Sequence, residues 1–412
     1  MILTVICDVL GRENNGTTIA AMNLVRSMRE HGHTVRVVCA DEFRRGEKDF
    51  YVVPTLNLGP LNGYLAKNGV SLAKADEAVI AAALDGADAV HIMIPFMLGC
   101  KGVRMALERD IPITAGFHCQ AENFTTHIFM MNSKLVNRLV YKIFYRNVYR
   151  YVDCVHYPTE FIRSVFERVI NTTVPNRVIS NGVNRRFRPA PAEKPEELRD
   201  KFVILFTGRY SKEKRHRVLI DAVNRSKYRE RIQLIFAGSG PQEKKLREYA
   251  QKLPNMPIFS FFTREELVKV INYSDLYVHP AEIEIEAIAC LEAISCGVVP
   301  IIADSPRCAT KYFAREPNNL FRVNDSEDLA SKIDWWLDNP EERKRCGEGY
   351  LGYAKQFDFD HCMDEMESMI ADTVAVHAKA RAIECAEQLA ALGQEHEEPV
   401  ESPVDGVGVK HV

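Results

Sequence analysis

His279-Pro-Ala-Glu-Ile-Glu-Ile-Glu-Ala-Ile-Ala-Cys-Leu-Glu-Ala-Ile-Ser-Cys-Gly297 is the stretch on which the reading of this chain turns. It follows the apolar run Ser274-Asp-Leu-Tyr-Val and precedes Val298-Val-Pro-Ile-Ile-Ala. The pattern is strand, acidic turn, helix, strand. Two of its glutamates, Glu284 and Glu292, are separated by seven residues. In an open parallel sheet, ligands bind where strands end and helices begin. Two carboxylates at such a place accept hydrogen bonds from several hydroxyls, as a sugar or a ribose requires. The competing reading is a solvated helix start, where the helix dipole favours glutamate in any case.

The same alternation recurs on both sides. Upstream, Phe202–Thr207 reads as a strand that runs into Gly208-Arg-Tyr-Ser-Lys-Glu-Lys-Arg-His216, with a helix expected over Val218–Asn224. Glycine at the strand end lets the backbone approach a ligand closely. Arg209 and Lys214 beside a helix N-terminus make an anion site, most simply for a diphosphate. Ile232–Phe236 is a further strand and ends in Ala237-Gly-Ser-Gly-Pro241. Ile258–Phe262, Leu276–Val278 and Val299–Ile302 continue the series. Leu329–Leu337 and Glu341–Tyr353 read as surface helices, and the alanine-rich stretch from Asp360 to about Leu392 as a long one. From Gly393 the composition turns polar and disorder is expected.

The first half opens in the same way. Ile2–Cys7 is a continuous apolar run, as for a strand buried on both faces. The turn Gly11-Arg-Glu-Asn-Asn-Gly-Thr-Thr18 follows, then a helical pattern over Ile19–His31 that stops at Gly32, then a strand over Thr34–Cys39. The turn lacks the three-glycine spacing of a dinucleotide fingerprint. Strands are expected at Ala89–Ile94 and Ile113–Phe117, the latter running into His118-Cys-Gln-Ala-Glu-Asn123. A histidine just past a strand's carboxyl end, with Gln120, Glu122 and Asn123 beside it, has the composition of a polar site. The pro-rich, basic run Asn184–Ala192 reads as the interdomain linker.

Between Asn123 and Val152 there is no acidic residue, while Lys134, Arg138, Lys142, Arg146 and Arg150 recur every four residues. Tyr141, Tyr145 and Tyr149 lie beside them. A helix over 132–150 with this pattern carries a basic edge next to an aromatic and aliphatic face, and suits an anionic membrane surface. The alternative is a core-packed helix whose long basic side chains lie over apolar surface.

Bulk properties narrow the classes. The 412 residues suit two domains, and 46% are apolar, enough for two cores. A net charge of −3 gives no global basic character, so no nucleic-acid partner is expected. The eleven cysteines are dispersed and read as reduced core thiols of a cytoplasmic protein. The first residues lack the basic start and cleavage site of a signal peptide, and no run of 18 apolar residues offers a membrane span.

The order of these features resembles the GT-B retaining glycosyltransferases of family 4, up to about residue 372. The carriers are the N-terminal glycine turn, the post-strand His118, Asn181-Gly-Val, the cations after Gly208, Gly238-Ser-Gly and the two glutamates with Glu292-Ala-Ile-Ser-Cys-Gly. Ala289–Ser295, Ile301–Arg307 and Lys332-Ile-Asp-Trp-Trp-Leu337 look most like the bacterial α-monoglucosyldiacylglycerol synthases within it. The resemblance implies an α/β chain of the GT-B fold, two Rossmann-like domains facing across a cleft. Residues 1–185 would face acceptor and membrane, 186–357 would hold the donor, 358–392 would cross back as a helix, and 393–412 would be a tail. It implies transfer of a hexose, glucose first, from a UDP-sugar to diacylglycerol, by a protein peripheral to the cell membrane. Gly16 would face donor and acceptor, and His118 would orient the donor sugar. Arg209 and Lys214 would neutralise the diphosphate, with Gly238 also on the donor side. Glu284 would bind sugar hydroxyls, and Glu292 the ribose. No cofactor is implied, and a divalent metal is not demanded.

Two departures stand out. Many relatives have Phe-Gly where this chain has Glu286-Ala287, and Gly-Gly where it has Ser305-Pro-Arg-Cys-Ala-Thr310. With Glu282, Glu284 and Glu286 crowded together, the sequence leaves open which carboxylate faces the sugar. Transfer to a soluble glycan or protein, and a silent sugar-nucleotide or membrane-binding module, are the competing readings.

Overall fold

The structure, a computed structural model, describes residues 1–8, 10, 16–57, 59, 72–126 and 130–395. Its first half is built on the strands β1 (Ile2–Ile6), β2 (Thr34–Cys39), β3 (Phe50–Val52), β4 (Ala89–Ile92), β5 (Ile113–Gly116), β6 (Cys154–Tyr157) and β7 (Asn176–Val178). They form one parallel sheet in the order β3-β2-β1-β4-β5-β6-β7. The helices are α1 (Gly16–Glu30), α2 (Glu77–Leu84), α3 (Met97–Leu107), α4 (Ala121–Thr126), α5 (Lys134–Phe144) and α6 (Glu160–Ile170).

The second half repeats the plan. Strands β8 (Phe202–Thr207), β9 (Ile232–Ala237), β10 (Ile258–Ser260), β11 (Leu276–His279), β12 (Pro300–Asp304) and β13 (Leu320–Arg322) pair in the order β10-β9-β8-β11-β12-β13, again all parallel. Its helices are α7 (His216–Arg225), α8 (Glu243–Tyr249), α9 (Arg264–Tyr273), α10 (Ile288–Ser295), α11 (Ser326–Asp338) and α12 (Pro340–Ala354). Strands covered on both faces must be apolar throughout, which is why Val203–Phe206 and Leu276–His279 are buried without alternation. Strand order reverses between β1 and β4, and between β8 and β11, and a crevice opens at the carboxyl end of each such point.

The chain passes between the two units twice, at one place. Val183 donates its N–H to Phe357 O at 2.7 Å and bridges Asp358 in parallel. Immediately afterwards α13 (Phe359–Glu395) begins. Its Met363, Met366, Met369 and Ile370 share an apolar cluster with Leu3 and Val5 of β1 and Val25 and Met28 of α1. The helix was expected to stop near Leu392 but runs on through Gly393 to Glu395. A single glycine costs a helix about 1 kcal/mol, too little to end it alone. The expected disorder of the remaining tail lies outside the described residues.

A second difference concerns the basic segment. The α-helix ends at Phe144, and Tyr145–Tyr149 forms a π turn, closed by Arg150 N–H to Tyr145 O at 3.0 Å. A four-residue step overshoots one α turn and falls short of one π turn. The π segment therefore brings the drifting basic stripe back.

Candidate functional site between the two sheets

The carboxyl ends of both sheets face each other and touch. Gln120 Nε2 donates to Arg307 O at 3.2 Å, Thr159 Oγ1 to Ile285 O at 2.8 Å, and Arg307 Nη1 to Asn132 Oδ1 at 2.8 Å. On the second unit these contacts come from Ile285 in the loop after β11 and from Arg307 just past β12, and the first of these loops carries the three glutamates. That loop separates the three crowded glutamates by giving each a different partner. Glu284 forms an ion pair with Lys214 and lies 3.3 Å from His279 Nε2. Glu282 is ion-paired with both Arg215 and Arg307. Glu286 turns the other way and accepts hydrogen bonds from Ser180 and Asn181 of the first half.

The electrostatics differ accordingly. Burial alone would raise the Glu284 carboxyl, but the Lys214 ammonium and then His279 overcome it and hold the group at about 2. Burial pushes down on Lys214 as well, and Glu284 more than restores its charge. Glu292, on α10, has no such partner among the described residues; burial pushes it up to about 7, against the lowering influence of Arg264. Arg209 is half-buried just past β8. Both Glu284 and Glu292 act on the buried Tyr277, whose hydroxyl lies 3.2 Å from His279 Nδ1. Lys214 closes a single 3-10 turn, Lys212–Lys214, directly before α7. Gly238, just past β9, abuts Gly208 at the end of β8, and a Cβ there would collide with Gly208 O, so only glycine lets the two strand ends meet.

On the opposite wall, His118 follows β5. Its ring folds back over Gly116, where any Cβ would collide with it, and lies 5.4 Å from the His156 ring centroid. Burial, then His156 and His91, hold His118 well below the ordinary histidine range, so it is neutral at physiological pH. Thr17 Oγ1 donates to His118 O at 3.4 Å, which brings the start of α1 to this wall. Gly16 is the exposed first residue of α1, with open space around it. The rest of the expected glycine turn, 11–15, lies outside the described residues. Sequence reasoning missed Asp8. It is buried at the end of β1 and pushed up to about 7 by burial, with Ala73 N–H only 3.3 Å from Oδ1. An aspartate ending the first strand was the available signal. It also missed Arg215 and Arg307, which stand in the stretches where charge and departure were already visible.

Lys134, Arg138, Lys142, Arg146 and Arg150 are all exposed, and among the described residues none is in an ion pair. Between them Leu135, Leu139 and Ile143 are exposed at 81%, 58% and 45%. The aromatic part of the expected face is otherwise placed. Tyr141 and Tyr149 are buried and stack on Phe117, and Tyr149 OH donates to Gly116 O at 3.1 Å. The tyrosines hold the helix to the core, and the aliphatics are what faces outward. No helix among the described residues is long and apolar enough to cross a membrane.

Two parallel-sheet units facing at their carboxyl edges, with cations and carboxylates at the crevice, are the architecture of a GT-B glycosyltransferase. Residues 14–187 match the model of Glycosyltransferase Family 4, and residues 188–350 that of Glycosyl transferases group 1. The chain belongs to this glycosyltransferase family. An alpha-monoglucosyldiacylglycerol synthase of Streptococcus pneumoniae is 28% identical over 230 residues, 52% of this chain and 51% of its own. The chain thus spans about half the length of that relative. A GDP-mannose-dependent alpha-mannosyltransferase of Corynebacterium glutamicum is 24% identical over 312 residues, 70% of this chain and 68% of its own. Among solved structures, HepE of Anabaena in complex with UDP and glucose superimposes at a TM-score of 0.70, with 14% identity, over 90% of this chain and 100% of its own. That likeness speaks for the fold.

Proposed function

We propose that this glycosyltransferase moves a hexose, glucose foremost, from a UDP-sugar to a lipid hydroxyl, diacylglycerol first, with retention of configuration. The observation that carries the lipid reading is the exposed Leu135, Leu139 and Ile143 stripe set among five exposed cations. Such a face gains energy on an anionic bilayer from both terms, roughly 1 kcal/mol for each basic residue. The relative named as an alpha-monoglucosyldiacylglycerol synthase and the neighbour solved with UDP and glucose support the same reading.

In this scheme the bond between the sugar's anomeric carbon and the diphosphate oxygen breaks. Lys214 and Arg209 take up the charge that gathers on the leaving group. Preorganised charge of this kind is usually the largest catalytic term. Glu284, ionised, accepts from the sugar hydroxyls, and Glu292 from the ribose. His118, neutral, orients the sugar from the other wall. The acceptor hydroxyl attacks from the face the phosphate leaves, and its proton passes to that phosphate oxygen. The scheme calls on no divalent ion.

The test is incubation with labelled UDP-glucose, UDP-galactose and GDP-mannose, each with anionic liposomes holding diacylglycerol or a sterol, or with a soluble glycan. A glycolipid of the expected mass from UDP-glucose and diacylglycerol supports the reading. Transfer to the soluble glycan alone, without liposomes, overturns it.

A further inference from the structure

We infer that Glu286 is a latch that fastens the donor-side loop to the crossover between the two units and so positions Glu284 and the start of α10. The inference rests on the nucleotide-sugar reading above and adds how that site is held.

Glu286 is 3% exposed. Its Oε1 accepts from Ser180 Oγ at 2.5 Å and from Asn181 N at 3.2 Å, and its Oε2 from Asn181 N at 3.2 Å and Asn181 Nδ2 at 2.5 Å. These donors stand three and two residues before Val183, where the chain first crosses. Gly182 has φ +75, and a Cβ on it would lie 2.9 Å from Phe359 Cα and 3.3 Å from Cys362 Cβ. Val183 then pairs with Phe357 and Asp358, so both crossings, outward and return, run side by side here. The Glu286 carboxylate is inserted at their junction.

On the other side, Glu286 is two residues from Glu284 and one from Ala287. Ala287 has φ 62 and ψ 62, left-handed for a residue with a side chain, and its carbonyl accepts from Cys290 N at 2.8 Å as α10 begins. That conformation is unfavourable for a residue with a Cβ. It persists where surrounding contacts over-determine it, and such strain gathers at functional sites. Thr159 Oγ1, donating to Ile285 O, is the loop's second fastening on the first unit. The loop that carries Glu284 is therefore bound to the first half at two successive residues. Beside the glycine-type backbone of Ala287, the Glu286 carboxylate accepts four hydrogen bonds, which are directional and specify one setting of loop against crossover. The Glu286 carboxylate is taken up by Ser180 and Asn181; it acts through Glu284 and α10, and is a positioning residue.

The test compares wild type with Glu286→Ala, Glu286→Gln and Ser180→Ala by calorimetric titration with UDP and by amide hydrogen exchange. The expected result for Glu286→Ala is UDP affinity lowered by about tenfold, the usual scale of coupling between linked sites. Exchange should quicken together at 180–183 and 284–291. Glu286→Gln should fall between, because its amide oxygen still accepts from Ser180 while its NH2 meets Asn181 Nδ2. Ser180→Ala removes one donor and should shift both readouts less, in the same direction; these two variants decide the matter if Glu286→Ala does not fold. Unchanged UDP affinity, or quickened exchange in only one of the two segments, overturns the latch. A wild type that binds no UDP would instead overturn the nucleotide-sugar reading, and the exchange comparison would still judge the latch.

Discussion

The crevice and the α5 segment treat their cations in opposite ways. Beside the crevice, Lys214, Arg215 and Arg307 each have a carboxylate partner, Glu284 or Glu282, and are at most about one-third exposed. Along α5 and the π turn, five cations stand in solvent with exposed leucines and an isoleucine between them, and no described carboxylate pairs with them. Solvation explains the contrast. A half-buried cation without a partner loses hydration and gains nothing, which costs several kcal/mol. An exposed cation keeps its water. The resident carboxylates beside the crevice thus hold the cations charged and in place until an anionic ligand arrives. The bare row on α5 suits a partner that brings its own negative charge over a wide area.

The largest expected effect would break the first side of this comparison. Lys214→Ala removes the cation proposed to meet the leaving group and leaves Glu284 buried without its partner. Transfer from UDP-glucose should fall at least about a hundredfold, as when one preorganised stabilising group is lost elsewhere. Near-normal turnover would show that the Lys214–Glu284 pair is structural only. Next comes the other side. Reversing Arg138, Lys142 and Arg146 to glutamate should reduce binding to anionic vesicles by at least about two orders of magnitude, from roughly 1 kcal/mol per basic residue lost. Sedimentation with vesicles reads this directly, and UDP binding should be unaffected. If vesicle binding persists, the stripe is a solvated face.

A smaller effect lies in the pH dependence of stability, and it separates the neighbouring glutamates. Glu284 is held at about 2, below its ordinary 4.5, so its contribution is present above pH 4.5 and is lost as pH falls towards 2. Glu286 is raised to about 7, so its contribution is full below pH 4.5 and is lost as pH rises through 7. Thermal unfolding from pH 3 to 8 should show Glu284→Gln flattening the acid limb and Glu286→Gln the neutral limb. The same limb flattened by both would refute the division. Smallest of all, adding EDTA should leave turnover unchanged, since the proposed charge partners are side chains. Abolished turnover restored by a divalent ion would contradict that.

Much of the fold was legible because strands buried on both faces are uninterrupted apolar runs. Phe202–Thr207 and Ile2–Cys7 could hardly be anything else. The three-residue strands β3 and β13 carry too little pattern to be seen. The helix over 134–144 was visible in its spacing, but the π turn was not, because it satisfies packing of Tyr149 under Phe117 rather than any local preference. That packing also moved Tyr141 and Tyr149 from the outer face to the core.

The sequence by itself determined the class of fold, the place of the crevice at strand ends, and the residue types gathered there. Only the tertiary structure decided which charge meets which. Lys214 and Glu284 are 70 residues apart, and Ser180 and Glu286 106 apart. Glu282, Glu284 and Glu286 stand at alternate positions and look equivalent in the chain. Their environments are set by elements that arrive from elsewhere. One glutamate receives a lysine, one receives two arginines, and one receives the hydrogen-bond donors at the crossover. Local pattern records what a residue prefers, whereas burial and pairing are properties of distant segments brought together.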